Sequence, residues 1–311
     1  MKILITGGAG YIGIALVKEL LKNNFKVTVL DNFIFNQQYV FFDLIKKKNL
    51  KIINENVKNK KLLKKLVKEN EFIIPLAGVV GAPACEKKPK DATEINFNQI
   101  KNIIKFSSKK NKIILPVTNS GYGIGKKNEF CTEESPLNPI SHYGITKVKA
   151  EKEIQKIDNF ISLRLATVFG LSGRIRTDLL VNDFTYKAVF EKKIELFEPH
   201  FTRNYIHVKD VARVMIFCIK NFKRLKKNIY NIGLETANLS KLELCKLIKK
   251  NYKNFKIKIN EFAKDPDQRD YMVSNKKILS TGWRPRYSLE YGIKELIKCY
   301  VSLNINRNSN V

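Results

Sequence analysis

Residues 2–13, KILITGGAGYIG, decide the fold. Residues 2–6 predict a buried strand, and residues 11–22 predict a helix that begins directly after a glycine-rich turn. Glycines at positions 7, 10 and 13 permit a tight turn, close approach of the backbone to a diphosphate and close packing of helix on strand. Because the required strand precedes the glycines and the required helix follows them, the stretch predicts a dinucleotide-binding turn.

Apolar strand-like runs alternate with helix-like runs beyond this turn. Further strands are predicted at 26–30, 51–53, 72–76, 112–117, 160–166, 205–208, 229–232 and 255–259. Further helices are predicted at 59–69, 93–109, 142–157, 208–222, 239–251 and 288–303. This alternation is typical of βαβ units. We therefore predict an α/β fold, a Rossmann-type doubly wound parallel sheet with a smaller C-terminal substrate-binding lobe.

The pattern loosens after about residue 170, and this change suggests a division of the chain. We assign residues 1–169 and 206–233 to the dinucleotide-binding domain. Residues 170–205 and 234–311 form the predicted substrate-binding lobe. No low-complexity linker separates the two parts, so we expect the lobe to be built from later segments of one body.

The chain of 311 residues is 44% hydrophobic, which gives ample material for a packed core. Its formal net charge is +29, which raises the question of a nucleic-acid partner. The lysines recur along the whole chain rather than in one stripe with interleaved aromatic residues. We therefore expect a solvated basic surface and no nucleic-acid partner, although the charge can attract an anionic substrate.

Cysteine and histidine usage gives no indication of a metal centre. The five cysteines are far apart and odd in number, which favours free thiols in a reducing compartment. The three histidines lack metal-ligand spacing. No apolar run approaches 18 residues, and a strand begins at once, so we expect no membrane span, no signal peptide and a cytoplasmic location.

Asp31 ends the second predicted strand, about 20 residues after the glycines. A carboxylate at that position accepts both ribose hydroxyls of NAD and repels the 2′-phosphate of NADP. The predicted cofactor is therefore NAD.

Tyr143 and Lys147 form a Tyr-x-x-x-Lys pair in the predicted helix 142–157. Residues four apart share one face of a helix, so the lysine ammonium can stand beside the phenol. Free tyrosine titrates near ~10, and a neighbouring ammonium together with the positive nicotinamide of NAD⁺ favours the phenolate. This pair predicts a catalytic acid/base.

The motifs together resemble the extended short-chain dehydrogenases. They are TGGAGYIG at 6–13, Thr-x-x-x-Tyr-Gly at 118–123, Tyr-x-x-x-Lys at 143–147, RNYIHV at 203–208 and GWRP at 282–285. The resemblance implies that Thr118 hydrogen-bonds the reacting sugar hydroxyl and that Tyr143 exchanges its proton. It also implies that Lys147 holds the cofactor ribose and tunes Tyr143.

The same resemblance implies the binding residues. The cofactor set is Gly7, Gly10, Tyr11, Ile12, Gly13, Asp31, Asn32, Asn56, Leu76, Ala77, Gly78 and Lys147. The substrate set is Val80, Gly81, Asn119, Ser120, Thr167, Arg174, Asn182, Arg203 and Arg269, with Arg203 and Arg269 as phosphate ligands. The implied partner is a nucleotide sugar, and the implied assembly is a homodimer through helices near 93–109 and 142–157.

Departures from the family pattern reduce the number of reactions that this chain is expected to catalyse. Asn119 and Ser120 stand where sugar 4,6-dehydratases carry an acid and a base, so dehydration is disfavoured. The Cys and His of fucose-synthase-like epimerases are absent from their places, which disfavours epimerisation through an enol. Thr167 replaces a usual Asn, which counts against a UDP-galactose 4-epimerase. Oxidation or reduction at one carbon and 4-epimerisation remain.

Longer stretches resemble the C4-dehydrogenases of GDP-manno-heptose in bacterial capsule pathways. They lie at 75–83, 118–125, 131–136, 178–184 and 267–271. This resemblance implies NAD-dependent oxidation of the C4 hydroxyl of a nucleotide-activated sugar, GDP-manno-heptose, to the 4-keto sugar. The alternative is an NAD-dependent sugar-nucleotide 4-epimerase. A non-enzymatic binding protein would be expected to have lost Thr118, Tyr143 or Lys147, and all three are present.

Overall fold

The structure is a computed structural model that describes residues 1–126, 128–260, 268–307 and 310. Its strands are β1 (Lys2–Thr6), β2 (Lys26–Asp31), β3 (Leu50–Asn54), β4 (Phe72–Pro75), β5 (Lys112–Thr118), β6 (Phe130–Cys131), β7 (Phe160–Leu165), β8 (Thr167–Phe169), β9 (Lys193–Phe197), β10 (Thr202–His207), β11 (Asn228–Ile232), β12 (Asn238–Ser240), β13 (Lys256–Asn260) and β14 (Met272–Val273). Its α-helices are α1 (Tyr11–Lys22), α2 (Lys60–Glu69), α3 (Ala82–Lys87), α4 (Pro89–Thr93), α5 (Gln99–Phe106), α6 (His142–Ile154), α7 (Leu180–Tyr186), α8 (Val208–Lys220), α9 (Phe222–Leu225), α10 (Lys241–Asn251), α11 (Lys276–Ser280) and α12 (Leu289–Leu303).

Seven parallel strands form the main sheet in the order β11-β7-β5-β4-β1-β2-β3. The chain builds outward from β1 to β3 and then crosses back to β4, so the strand order reverses between β1 and β4. In this register Thr6 pairs with Leu30 on one side and Pro75 on the other. The carboxyl ends therefore meet around a crevice at the reversal, where open α/β sheets bind ligands. The predicted doubly wound sheet is confirmed.

Burial on both faces explains the unbroken apolar run of β1. Ile3 and Ile5 are fully buried in one core cluster, and Leu4 is fully buried in the other. Side chains alternate between the faces of a strand, and helices cover both faces of a parallel sheet. The second cluster also contains Leu63 of α2 and Ile103 of α5.

Smaller sheets combine strands from beyond residue 170, where the sequence pattern loosens, with the earlier strands β6 and β8. β10 pairs in parallel with β8 and antiparallel with β12, while β9 pairs with β13 and β6 with β14. Helix α7 and strand β9 have no counterpart among the predicted elements. The predicted domain boundary between residues 205 and 206 falls inside β10, and the division into two domains stays a prediction.

The predicted helix 93–109 is interrupted. A π-helical turn, Glu94–Asn98, separates α4 from α5. Asn96 in this turn is buried and hydrogen-bonds Val79 in the loop after β4. Single π turns of this kind are frequent at functional sites.

None of the helices that the structure describes is long and apolar enough to cross a bilayer.

Candidate active site and dinucleotide cleft

Two glycines at the turn between β1 and α1 have no room for a side chain. Gly7 has φ +73°, and a Cβ there would lie 2.5 Å from the backbone nitrogen of Ala77. A Cβ on Gly13 would lie 2.2 Å from the carbonyl oxygen of Gly7. Gly10 precedes α1 and provides no side-chain cap, so backbone N–H groups of the first turn remain available to a diphosphate.

Asp31 lies at the carboxyl end of β2, beside this turn. One carboxylate oxygen accepts a hydrogen bond from the backbone nitrogen of Ala9 at 2.9 Å, and the other accepts one from Phe33 at 2.9 Å. The second oxygen also accepts from the side-chain amide of Gln37 at 3.5 Å, while the first oxygen keeps a lone pair for a ribose hydroxyl. Burial raises the pKa of Asp31 above its ordinary value, and the two backbone hydrogen bonds oppose that rise.

A cavity of about 430 Å³ connects these parts. The predicted cofactor residues that line it are Gly7, Gly10, Tyr11, Ile12, Gly13, Asp31, Asn32, Asn56, Leu76, Ala77 and Gly78. The volume, the bare helix terminus and the Asp31 carboxylate together fit NAD.

Arg174 lies in this cleft, although the sequence predicted it as a substrate residue. Its guanidinium carbon is 4.1 Å from the centre of the Phe35 ring, and its charge acts on Asp31. Arg176 lines the same cleft and pairs with Asp178. Sequence spacing could not show that these arginines reach the cofactor cleft. The loop after β8 lies near the carboxyl end of β2 only in the folded chain.

Tyr143 and Lys147 lie one turn apart on α6, whose first turn is capped by the Ser141 hydroxyl. Lys147 is 7% exposed, and burial lowers its pKa to about 8. Burial also raises the pKa of Tyr143 to about 12, while the charges of Arg176 and Arg269 oppose that rise. The positive charge of NAD⁺ is a further influence that favours the phenolate.

Thr118 ends β5 and belongs to a chain of hydrogen bonds. Its hydroxyl donates to the Ser120 hydroxyl at 2.9 Å and also helps to lower the pKa of Tyr143. Arg269 donates to the same Ser120 hydroxyl, and Arg203 donates to the backbone carbonyl of Arg269. The structure thus brings five predicted residues from distant segments to one end of the sheet.

Other predicted substrate residues are placed differently. Asn182 is fully buried, and its amide bonds the backbone of Gly170 at 3.0 Å and of Arg176 at 2.8 Å. It therefore shapes the loop after β8. Val80 lines the dinucleotide cleft, and Thr167 begins β8. As substrate contacts these three stay predictions.

Two further predicted substrate residues flank the cleft and Thr118. Gly81 has φ +97°, a left-handed conformation that favours glycine, directly before α3. Asn119 follows Thr118, is 1% exposed, and its amide has no hydrogen-bond partner among the described residues. A buried amide without a partner carries a desolvation cost that a bound ligand can relieve.

Asn96, which holds the loop after β4 beside Lys147, was not predicted from the sequence. Its amide oxygen accepts from the Val79 nitrogen at 2.9 Å, and its amide nitrogen donates to the Val79 carbonyl and to Thr146. A Cβ on Gly78 would lie 2.9 Å from the amide oxygen of Asn96 and 3.6 Å from the Lys147 ammonium nitrogen. A polar residue on the buried face of a predicted helix was the available signal.

The sheet, the glycine turn and the cleft define a dinucleotide-binding protein of the Rossmann class. The chain belongs to the NAD dependent epimerase/dehydratase family, whose family model matches residues 3–233. NAD is its cofactor, as predicted.

Relatives extend over nearly the whole chain. A putative UDP-glucose 4-epimerase of Methanocaldococcus jannaschii is 27% identical over 309 residues, covering 95% of this chain and 97% of the relative. A UDP-glucose 4-epimerase of Lactobacillus helveticus is 29% identical over 276 residues, covering 80% and 81%.

Solved structures share the fold. The UDP-glucuronic acid 4-epimerase from Bacillus cereus, in complex with UDP-glucuronic acid and NAD, has a TM-score of 0.86 at 24% identity. The alignment covers 97% of this chain and 100% of that one. The Thermus thermophilus UDP-glucose 4-epimerase complex with NAD has a TM-score of 0.83 at 21% identity, with coverage of 97% and 100%. At these identities the likeness is one of fold.

Proposed function

We propose that this protein is an NAD-dependent 4-epimerase of a nucleotide-activated sugar. The observation that carries the proposal is the grouping of Thr118, Tyr143 and Lys147 beside the dinucleotide cleft, at the carboxyl end of β5. The relatives named above are UDP-sugar 4-epimerases, and they favour this alternative over oxidation of a GDP-heptose. The Thr167 departure therefore carries less weight than the likeness of the whole chain.

Each catalytic residue has a distinct task in this proposal. The Thr118 hydroxyl holds the C4 hydroxyl of the sugar, and the Tyr143 phenolate takes its proton. The Lys147 ammonium stabilises that phenolate by its charge. NAD⁺, when bound, supplies the hydride acceptor. In an epimerase the same tyrosine returns the proton after the keto sugar has presented its other face.

The diphosphate of the sugar nucleotide is proposed to lie against Arg203 and Arg269. Arg203 is 3% exposed and its guanidinium carbon is 5.6 Å from the Tyr271 ring centre. Guanidinium groups recognise phosphate oxygens in bidentate geometry. Since Arg269 also donates to Ser120, a diphosphate held there would bring the sugar toward Thr118.

The C4-dehydrogenase hypothesis shares the first half of this chemistry. It keeps the GDP-heptose as the substrate and ends at the 4-keto sugar, so it differs in product rather than in catalytic residues. The homodimer implied by the family resemblance and the cytoplasmic location likewise remain proposals.

NADH absorbance tests whether C4 oxidation occurs at all. Enzyme stripped of nucleotide is mixed with NAD⁺ and a panel of UDP-, GDP- and dTDP-sugars, with Tyr143→Phe as the control. We expect absorbance that rises to a small fraction of the enzyme concentration with one nucleotide class. Stoichiometric accumulation with a GDP-heptose would favour the dehydrogenase, and silence with every sugar would contradict the proposal.

A further inference from the structure

A second cavity, of about 270 Å³, lies at the opposite edge of the main sheet from the dinucleotide cleft. It is lined by Lys2, Lys26, Val27, Thr28, Lys48, Asn49, Leu50, Lys51, Glu69 and Asn70. These residues come from the beginnings of β1, β2 and β3, the loop before β3 and the end of α2. β1 rises about 3.3 Å per residue from Lys2 to the glycine turn, so roughly 15 Å of sheet separates the two cavities.

Strand register places the lysines on one face of the sheet. Lys2 is the register partner of Lys26, and Thr28 is the register partner of Lys51. Register partners share a face, and so do residues two apart in a strand. Lys2, Lys26 and Lys51 therefore point to the same side, where the end of α2 closes the cavity.

The charges in this cavity are not balanced. Across the part of the chain that the structure describes, the ammonium groups of Lys2, Lys26, Lys48 and Lys51 have no hydrogen-bond or ion-pair partner. The one lining carboxylate, Glu69, lies 4.0 Å from Lys65.

Two neighbouring strands that carry like charges at register partners, roughly 5 Å apart, repel each other. The negative end of the α2 dipole, about half a charge, offsets only part of this excess. All four lysines are exposed, so water and salt screen part of this repulsion, and an anion in the cavity would relieve the remainder.

We propose that this cavity binds an oligophosphate anion. The arrangement offers four cationic donors around a volume that admits a phosphate chain, and lysine binds phosphate as a mobile point charge. The apolar lining is limited to Val27 and Leu50, so the phosphate groups rather than a large apolar body provide the recognition. The inference does not rest on the proposed epimerase activity.

Titration calorimetry with inorganic tripolyphosphate tests this proposal on the NAD-loaded enzyme, so that the cofactor cleft is filled. We expect binding that weakens with added salt and that is about tenfold weaker in the double variant Lys2→Gln/Lys26→Gln. The matched control is Lys60→Gln/Lys61→Gln, which removes the same charge from the exposed first turn of α2. It is expected to bind as the wild type does.

Urea unfolding of both double variants shows that they are folded. Without anion and at low salt, Lys2→Gln/Lys26→Gln is expected to be at least as stable as the wild type, because it relieves repulsion. Equal affinities for tripolyphosphate and ATP would show that the phosphate chain alone is recognised. Tighter binding of ATP would show that the nucleoside also contacts the cavity. Absence of binding to the wild type, or equal weakening in both double variants, would overturn the proposal.

Discussion

Lys147, which is proposed to stabilise the Tyr143 phenolate, departs from what stability alone would select. It is 7% exposed, and no carboxylate contributes to its pKa, which burial lowers to about 8. A buried ammonium without a carboxylate costs free energy that the rest of the fold must offset. Its position beside Tyr143 gives the charge a task once the cofactor and substrate are bound.

Replacing Lys147 should therefore stabilise the enzyme without its cofactor. An unfolded lysine titrates near ~10.4 and the folded one near 8, so the unfolded chain binds more protons between these pH values. The wild type thus gains stability as pH rises through this window, and at pH 7 it carries the full penalty. We expect Lys147→Met to raise the free energy of unfolding at pH 7 by up to about 3 kcal/mol, an advantage that shrinks by pH 10.

Urea unfolding at pH 7 and pH 9.5 measures this difference. Lys149→Met, at an exposed position of the same helix, is the control and should leave stability nearly unchanged at both pH values. A Lys147→Met variant no more stable than the wild type at pH 7 would contradict the assigned burial cost.

Tyr143→Phe removes the proton-exchanging hydroxyl and keeps the ring. We expect kcat to fall by about a hundredfold to ten-thousandfold, the range of general acid–base catalysis, with little change in NAD affinity or melting temperature. Steady-state kinetics measure the fall in kcat, and the amount of NAD bound to the purified variant shows whether cofactor affinity is retained. A variant with more than a tenth of wild-type kcat would exclude Tyr143 as the acid/base.

At the scale of elements, a buried ion pair holds the catalytic helix. Glu151 of α6 lies two turns beyond Tyr143 and pairs with Arg164 of β7 at 2.7 Å, with both side chains under 5% exposed. Arg164 also donates to the Tyr122 hydroxyl at 3.0 Å, close after Thr118 in the chain. One guanidinium therefore connects the helix that carries Tyr143 to the segment that carries Thr118.

Removing one partner of this pair should be costly. We expect Glu151→Ala to lower the free energy of unfolding by about 3 to 5 kcal/mol, because it leaves the Arg164 charge buried and unpaired. The double variant Glu151→Met/Arg164→Met should recover most of that loss. Chemical denaturation of the wild type and the two variants measures these changes. A double variant less stable than Glu151→Ala would contradict the prediction.

The sequence defines some elements better than others, for physical reasons. β1 and α1 were predicted to within a residue. An apolar run leads directly into glycines whose spacing is typical of one tight strand-to-helix turn. The π turn Glu94–Asn98 was missed because it depends on a hydrogen bond from Asn96 to a distant loop. α7 and β9 are short, and their position depends on tertiary packing. The local hydrophobic periodicity of the sequence does not indicate it.

At the scale of the whole molecule, the strand order determines which distant residues meet. Thr118, Tyr143 and Asp31 were assigned from motifs, and the sheet gathers them at its carboxyl edge. The location of Arg174 in the cofactor cleft could not be predicted, because it depends on how the loop after β8 folds back. Motifs therefore indicated which residues gather at this edge of the sheet, and the catalytic roles assigned to them stay predictions.

The predicted homodimer is a property of the whole molecule that its net charge affects. A net charge of +29 opposes association of two copies, and salt screens this repulsion. We expect light scattering after size exclusion to give twice the 35.9 kDa of one chain at 0.15 M salt and above. A mass of one chain at every salt concentration would argue against the homodimer.

The product of a complete reaction tests the central claim, that this protein is a sugar-nucleotide 4-epimerase, most directly. Holoenzyme is incubated with the sugar nucleotide that responds in the absorbance panel, and proton NMR follows the configuration at C4. We predict many turnovers to an equilibrium mixture of the two C4 epimers, with NADH never exceeding a small fraction of the enzyme concentration and no reaction by Tyr143→Phe. A 4-keto sugar formed with equimolar NADH, and no epimer, would contradict the epimerase.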